Sequence, residues 1–505
     1  MKEDFLKKTG LVLAAGLVLS LAYADESTSV DKKPSRPMVR LDGYVGTFSK
    51  FGFNDQPVDV KKGQFPTESF TTVIGQLDLN IDPSEKLGWE DTSLTFDVGA
   101  TLGGLAYDST KFDNNADFKE ISPKGGLNYN YFGYWGGYDS SITPNGNNTR
   151  NFMIHNAYVD FKSKYFDFIG GRFESNADYL SGYMQGIRTN VHYKFGESNE
   201  IKAWWVSSFG RAFAYSQWLY DYYAPTAIYQ NFGPVGSRTY NLTGIHIGGI
   251  DLSLANADGS KSLLIRPFTQ FMVDIATAVG GKIVGTDTWG DFKSTTQLMG
   301  YYVYIQDKQW NLANGFTPIN GIRYYRGQQI DRNSYNISLI QTFNYLNYNF
   351  GLGLYKNFGY ANAYVGTIGN KGLKFDFWTS SVYEIGQSLS DAVSRNAFTG
   401  YAWVGGTHDV GIGDFTWTIL ARYTTSTRSE EQSIYLDMYQ SLKYFGVGMK
   451  LEYFRDRTNQ GFDVSSYSKV ADNFPGRVDD RSHIFFYIDY KFSTGLKSLA
   501  KKDNM

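Results

Sequence analysis

The 505-residue chain has no cysteine, only 12 prolines and five histidines. Without thiols there is neither thiol catalysis nor a cysteine-ligated metal, and stability outside the reducing cytosol has to come from something other than disulfides. A sheet closed on itself, with every backbone group paired and no edge, is sufficient. Charge of one sign is lacking too: 48 Lys+Arg face 50 Asp+Glu, a formal net of -2, too balanced for a nucleic-acid binder. Beyond residue 24 no apolar run approaches the roughly 20 residues of a membrane-spanning helix, because charged or amide side chains interrupt each one. Mean hydropathy is -0.36, which read alone describes a soluble protein.

Aromatic residues, by contrast, make up 17% of the chain, with 39 Tyr, 37 Phe and 54 Gly. That composition favours many strands joined by turns. Strands that alternate apolar and polar residues escape hydropathy averaging, so a membrane barrel is compatible with the low mean. The N-terminus reads as an export signal over residues 1–24: Lys7 and Lys8, an apolar run from Leu11 to Leu21, then Ala22-Tyr23-Ala24 with small residues where a signal peptidase reads. The run is short for a retained anchor, and a polar lead-in at 25–37, expected in the periplasm, follows at once. The removed segment carries Lys2, Lys7 and Lys8 against Glu3 and Asp4, a net of +1, which leaves -3 on the remainder.

From Met38 onward, short segments with period-two alternation are separated by Gly, Asn, Asp and Ser clusters. In Phe415–Tyr423 one face reads Phe415, Trp417, Ile419, Ala421, Tyr423 and the other Thr416, Thr418, Leu420, Arg422. In Phe445–Tyr453 the faces are Phe445, Val447, Met449, Leu451, Tyr453 and Gly446, Gly448, Lys450, Glu452. Ser482–Phe492 sets Ile484, Phe486, Ile488, Tyr490 and Phe492 against His483, Phe485, Tyr487, Asp489 and Lys491. Further strands are expected at Ser93–Ala100, Asn156–Phe161, Ile201–Phe209, Tyr335–Phe343 and Phe375–Tyr383. A half-buried strand of a soluble sandwich alternates in the same way. Repetition without a linker over residues 38–492 instead favours one transmembrane antiparallel β-barrel, all-β, of 16–20 strands and most simply 18, followed by a tail at 493–505. Long outward loops are expected at Gly103–Arg150 and Gln217–Arg238.

Two segments carry a family resemblance: Ile169-Gly-Gly-Arg-Phe-Glu-Ser-Asn-Ala-Asp-Tyr-Leu-Ser-Gly-Tyr-Met-Gln-Gly186 and Ala203-Trp-Trp-Val-Ser-Ser-Phe-Gly-Arg-Ala-Phe213. They resemble the Hof family of Helicobacter outer-membrane proteins over most of the chain. More distantly, the strand ending at Gly171-Arg172, its loop and Gly186 are similar to the OprD-type substrate-specific porins. The resemblance implies an 18-stranded barrel with a loop-narrowed lumen that passes small solutes, and a wall arginine at Arg172. The sequence departs from the OprD pattern at Asp178-Tyr179-Leu180-Ser181, where an arginine-leucine-proline continuation would stand. It also runs 13 residues past Phe492, so the aromatic assembly signal is internal.

An Arg or Lys on the lipid face costs about 2–4 kcal/mol at mid-membrane, so alternation assigns Arg422, Lys450, Glu452, Asp489 and Lys491 to the lumen. The expected pore-lining or constriction residues are Arg172, Glu174, Asp178, Arg188 and Arg211 around the loop, with Arg422, Lys450 and Glu452 on the wall. Each has a plainer reading as wall solvation or internal ion pairing. Arg323, Arg326 and Arg332, and Arg455 with Arg457, lie near loops and could meet anionic sugar or lipopolysaccharide phosphate. Catalysis has little support: His155, His192, His246, His408 and His483 are scattered, no serine has a nucleophile context, no His-Glu-x-x-His is present, and Gly244–Gly249 lacks the lysine of a phosphate loop. The expectation is therefore a non-enzymatic outer-membrane channel for small polar solutes, with no cofactor. Its partners would be outer-membrane lipid, lipopolysaccharide and the barrel-assembly machinery. The alternative is an adhesin whose Tyr- and Asn-rich loops bind a host receptor. A plug-type transporter would need a far longer segment ahead of the barrel.

Overall fold

Period-two alternation commits each segment to two different surroundings, and the computed structural model shows how eighteen such segments meet. The structure describes residues 38–57, 66–109 (without 85 and 90), 152–223 (without 179), 244–306 (without 274), 318–319, 322–325, 328–359, 373–375, 390–462 and 476–493.

 The export signal at 1–24, the lead-in at 25–37 and the tail beyond Ser493 lie outside the described residues.

The first nine barrel strands are β1 (Val39–Gly52), β2 (Phe70–Ile81), β3 (Ser93–Asp108), β4 (Phe152–Lys162), β5 (Phe166–Ala177), β6 (Leu180–Phe195), β7 (Asn199–Tyr215), β8 (Ile245–Ala255) and β9 (Lys261–Met272). The other nine are β10 (Ala276–Trp289), β11 (Phe292–Ile305), β12 (Asn333–Tyr345), β13 (Tyr348–Gly359), β14 (Phe398–Asp409), β15 (Asp414–Thr425), β16 (Ser429–Ser441), β17 (Phe445–Thr458) and β18 (His483–Ser493). Neighbours in this series pair antiparallel, and β1 pairs with β2 on one side and β18 on the other. The sheet is therefore closed, with the expected eighteen strands. Among the described residues no helix is long and apolar enough to cross a membrane; strands make the crossing.

Both ends of the barrel sequence, Val39 and Ser493, lie at one rim, where the connections are short: 163–165, 196–198, 290–291 and 346–347 are examples. That rim is periplasmic and the opposite one, with the long connections, extracellular. Three extracellular connections, at 178–179, 273–275 and 426–428, are nevertheless turn-sized. The expected loop at Gly103–Arg150 starts later than the sequence indicates, because β3 stays paired with β2 as far as Asp108; residues 110–151 lie outside the described residues. In the expected loop Gln217–Arg238, Trp218–Tyr223 is a strand paired with the end of β7. Of the expected strand Phe375–Tyr383 only Phe375 is described: with Leu373 it belongs to the β13–β14 connection and packs on the buried cluster of Ile340, Tyr401, Trp403 and Leu420, while 376–383 lie outside the described residues.

The two faces separate as the alternation requires. On β17, Phe445, Val447, Leu451 and Tyr453 point out and are exposed, whereas Gly446, Gly448, Lys450 and Glu452 point in. On β15, Ile419 is 38% exposed on the outside and Leu420 is 1% exposed on the inside. An exterior apolar belt of this extent is stable only against lipid. Adjacent positions therefore give a direct test. Ile419→Arg should cost about 2–4 kcal/mol and sharply reduce heat-modifiable, folded barrel in outer-membrane fractions. Thr418→Arg, which faces Asp437 across the β15–β16 register, should be tolerated; equal losses would mean the faces are reversed.

Candidate functional site

On its extracellular side the sheet splits, and glycines mark the place. β4 pairs with β5 only from Lys162↔Asp167 to Ala157↔Arg172. Above that, β4 stays with β3, while β5 continues with β6 alone. Gly171 has φ +125°, and a Cβ there would lie 2.1 Å from the Ala157 carbonyl oxygen. The β6–β7 register shifts at Gln185/Gly186, where a Cβ on Gly186 would lie 1.8 Å from the Ser207 carbonyl oxygen. β7 leaves β8 above Ser208↔Ile245. The upper ends of β5, β6 and β7, with Trp218–Tyr223, thus form a flap that departs from the wall.

Contacts place this flap inside the barrel. The Ser216 carbonyl accepts a hydrogen bond from Thr72, and the Ser216 hydroxyl lies 2.6 Å from that of Tyr44. Gln76 Nε2 donates to the Ala214 carbonyl at 2.8 Å. All three wall residues share the inward face of β1 and β2. On its other side the flap packs Phe173, Leu180 and Met184 into one buried cluster with Ile247, Phe268 and Met272 of β8 and β9. Splitting strands leaves carbonyls without ladder partners, which is costly away from water. Here side chains take over: Arg172 Nη1 donates to the Ile154 carbonyl at 3.2 Å and the Tyr222 hydroxyl to the His155 carbonyl at 2.8 Å.

The flap tip is fastened by charge. Asp178 accepts from Arg266 Nη1 at 2.7 Å and Lys282 Nζ at 3.2 Å, on β9 and β10. Arg266 in turn grips Asp251 with two bonds of 2.7 Å each, and Asp251 also takes Trp204 Nε1 at 2.7 Å and Lys202 Nζ at 3.2 Å. Two-point guanidinium–carboxylate pairs fix geometry as well as charge.

Five of the residues singled out in the sequence come together on this flap or its base. Arg172 bonds Gln185 Oε1 at 3.0 Å and lies 4.4 Å from the Tyr222 ring centre. Glu174, exposed, accepts from the Tyr215 hydroxyl at 2.9 Å. Asp178 is the tip anchor. Arg188 reaches Asn176 Oδ1 at 3.4 Å, and buried Arg211 donates to the Ser181 carbonyl at 2.7 Å. The other three stand apart on the opposite wall. Half-buried Lys450 and Glu452 pair at 2.5 Å, with Ser433 donating to Glu452 at 2.6 Å. Arg422 is buried and bonds Ser390 Oγ at 2.9 Å and Glu431 Oε2 at 2.8 Å.

That arginine belongs to a second inward segment, from the β13–β14 connection. The Asp391 backbone N–H and the Ser390 hydroxyl each donate to Glu431 at 2.7 Å, and Arg428 pairs with Asp391 at 2.6 Å. Asp391, Glu431 and Asp456 come close enough to share a cation. Arg422, Arg428 and Arg481 face them, so the cluster is charge-balanced and reads as a latch for the segment.

Sequence reasoning did not single out Asp251, Arg266 or Lys282, nor the buried pair Lys50–Glu68 at 2.6 Å. Alternation in β9 does put Arg266 on the inward face, opposite exposed Leu263 and Ile265; its partners come from distant strands and leave no local signal. Among the histidines, His155 lies between Asp78 at 3.0 Å and the Thr101 hydroxyl at 2.8 Å, an acid–imidazole–hydroxyl order. Thr101 is 1% exposed and also takes Gln76 Nε2, so the arrangement serves packing. Of the arginines near loops, Arg332 donates to the Tyr304 hydroxyl at 3.2 Å, Arg455 and Arg457 are exposed on the outer face of β17, and the side chains of Arg323 and Arg326 lie outside the described residues.

A closed barrel with a lipid-facing belt and an ionised interior defines an integral outer-membrane protein. The chain belongs to the family described as "Putative outer membrane protein", whose model matches residues 30–492, in agreement with the Hof-family resemblance. A sequence search of curated proteins gives no match. Among solved structures it is similar to OccAB4 of Acinetobacter baumannii, at 11% identity and TM-score 0.53, covering 92% of this chain and 100% of that one. It is similar to OpdK of Pseudomonas aeruginosa, crystallised with vanillate, at 10% identity and TM-score 0.52, covering 90% and 98%. A BenF-like porin from Pseudomonas fluorescens Pf-5 gives 10% identity and TM-score 0.54, also covering 90% and 98%. These likenesses establish the shared fold.

The tip anchor can be tested in a chain that has no native thiol. Leu180 is 1% exposed beneath the flap, so Leu180→Cys should react slowly with an aqueous thiol reagent. Adding Asp178→Ala breaks a buried charge pair worth on the order of 3 kcal/mol, and labelling should accelerate by about a hundredfold. An unchanged rate would show that Asp178 does not hold the flap.

Proposed function

We propose that the protein is a channel for passive diffusion of small polar solutes across the outer membrane, with selectivity imposed by its own inward flap. The observation that carries this reading is the flap itself. A barrel that only displayed surface loops would have no need to route three of its strands into its lumen and fasten them to β1 and β2 on one side and to β9 and β10 on the other. Paired ions on the remaining inner face keep a water path wetted without a free field of either sign. Arg172, Glu174, Asp178, Arg188 and Arg211 are proposed to set the constriction, and Lys450 and Glu452 to line the path beside it.

A structural neighbour supports a channel, being itself a BenF-like porin. The adhesin reading would rest on connections such as 110–151 and 224–243, which lie outside the described residues. Purified protein reconstituted in planar bilayers should give stepwise ion currents, and Asp178→Ala should make them larger or noisier. Silent membranes at every voltage would contradict the channel.

A further inference from the structure

The inner wall of β16, β17 and β18 carries a feature that the constriction does not use. Gly446 and Gly448 of β17 face the lumen between Tyr439 of β16 and Tyr487 of β18. A Cβ on Gly448 would lie 1.9 Å from the Tyr487 ring, and one on Gly446 would lie 1.7 Å from the Tyr439 hydroxyl. Both rings therefore lie flat along the wall, one face on glycine backbone. They are nearly parallel, at 16°, with centres 6.0 Å apart. Each is pinned at its hydroxyl: Tyr439 donates to Asp489 at 3.0 Å and Tyr487 to Asp437 at 2.6 Å. Both rings are half-buried, so the second face is open to the lumen.

The charges around this platform decide what it can hold. Lys491 pairs with Asp489 at 3.2 Å, and Lys450 pairs with Glu452 at 2.5 Å while its ammonium stands 4.3 Å from the Tyr435 ring centre. The lysines are thus committed, and three carboxylates against two lysines disfavour an anionic solute. Among the described residues the second oxygen of Asp437 takes no hydrogen bond and remains an acceptor. A flat aromatic face beside fixed acceptors and donors suits a neutral ring that is apolar on its faces and hydroxylated at its edge. We infer that this platform is a binding subsite for neutral pyranose sugars on the path through the barrel. The inference deepens the channel reading and rests on it.

Saturation-transfer NMR on the detergent-solubilised barrel, with glucose and maltose as probes, reads binding without requiring conduction; bilayer currents with the same sugars read it during conduction. Wild-type protein should show sugar signals and sugar-dependent current interruptions. The double variant Tyr439→Leu/Tyr487→Leu keeps apolar bulk but removes the ring faces, and should weaken both by about tenfold or more, with unitary conductance in salt retained. Tyr487→Phe, which keeps the face, should retain most of the binding. Absence of sugar binding, equal binding by the Leu variant, or Tyr-dependent block by benzoate or arginine instead of sugar would overturn the inference while leaving ion conduction intact. Binding with silent bilayers would sink the channel reading alone.

Discussion

Backbone hydrogen bonding in lipid is the constraint on which the structure depends. No water is available to an unpaired N–H or C=O in the hydrocarbon layer, so a strand can be there only inside a ring that closes. The β1–β18 pairing meets that demand for the barrel as a whole. The same demand shapes the lumen. Where β5–β7 leave the wall, Arg172 and Tyr222 supply donors to the carbonyls that β4 loses, so the split becomes affordable only because those side chains are in place.

Charge does the complementary work. A polar interior gives little hydrophobic drive to hold an inward segment, and both inward segments are fastened by ion pairs: Asp178 with Arg266 and Lys282, and Glu431 and Asp391 with Arg422 and Arg428. These groups are largely buried, which makes removal of one partner more damaging than the pair is stabilising. The flap adds an apolar footing through Phe173, Leu180 and Met184. Among the described residues the tyrosine platform on β16–β18 has no such tie, and its rings are held by Asp489 and Asp437 and by the glycines beneath them.

Much of the fold was legible because alternation is a local property. The faces of Phe415–Tyr423, Phe445–Tyr453 and the final strand can be read from one residue to the next, and a strand count followed from length. At the expected strand Phe375–Tyr383 only Phe375 is described; it lies in a connection and packs inward on the cluster of Tyr401 and Trp403, a contact that alternation does not foretell. The constriction was only half legible. Arg172, Glu174 and Asp178 stand beside a glycine signal, but Gly171 and Gly186 read equally well as strand ends, and nothing nearby in sequence ties Asp178 to Arg266, 88 residues away. Contacts across a barrel are set by register around the whole ring, which no short window contains.

The most direct check of this account is a cross-link between wall and flap. Thr72 and Ser216 are 144 residues apart and meet only if the flap enters the lumen. In the otherwise thiol-free chain, Thr72→Cys with Ser216→Cys should be joined by a short bifunctional thiol reagent in intact outer membranes, changing gel mobility in a way that each single variant does not. Failure of that pair to join, in barrels shown to be folded, would contradict the inward flap and the constriction built on it.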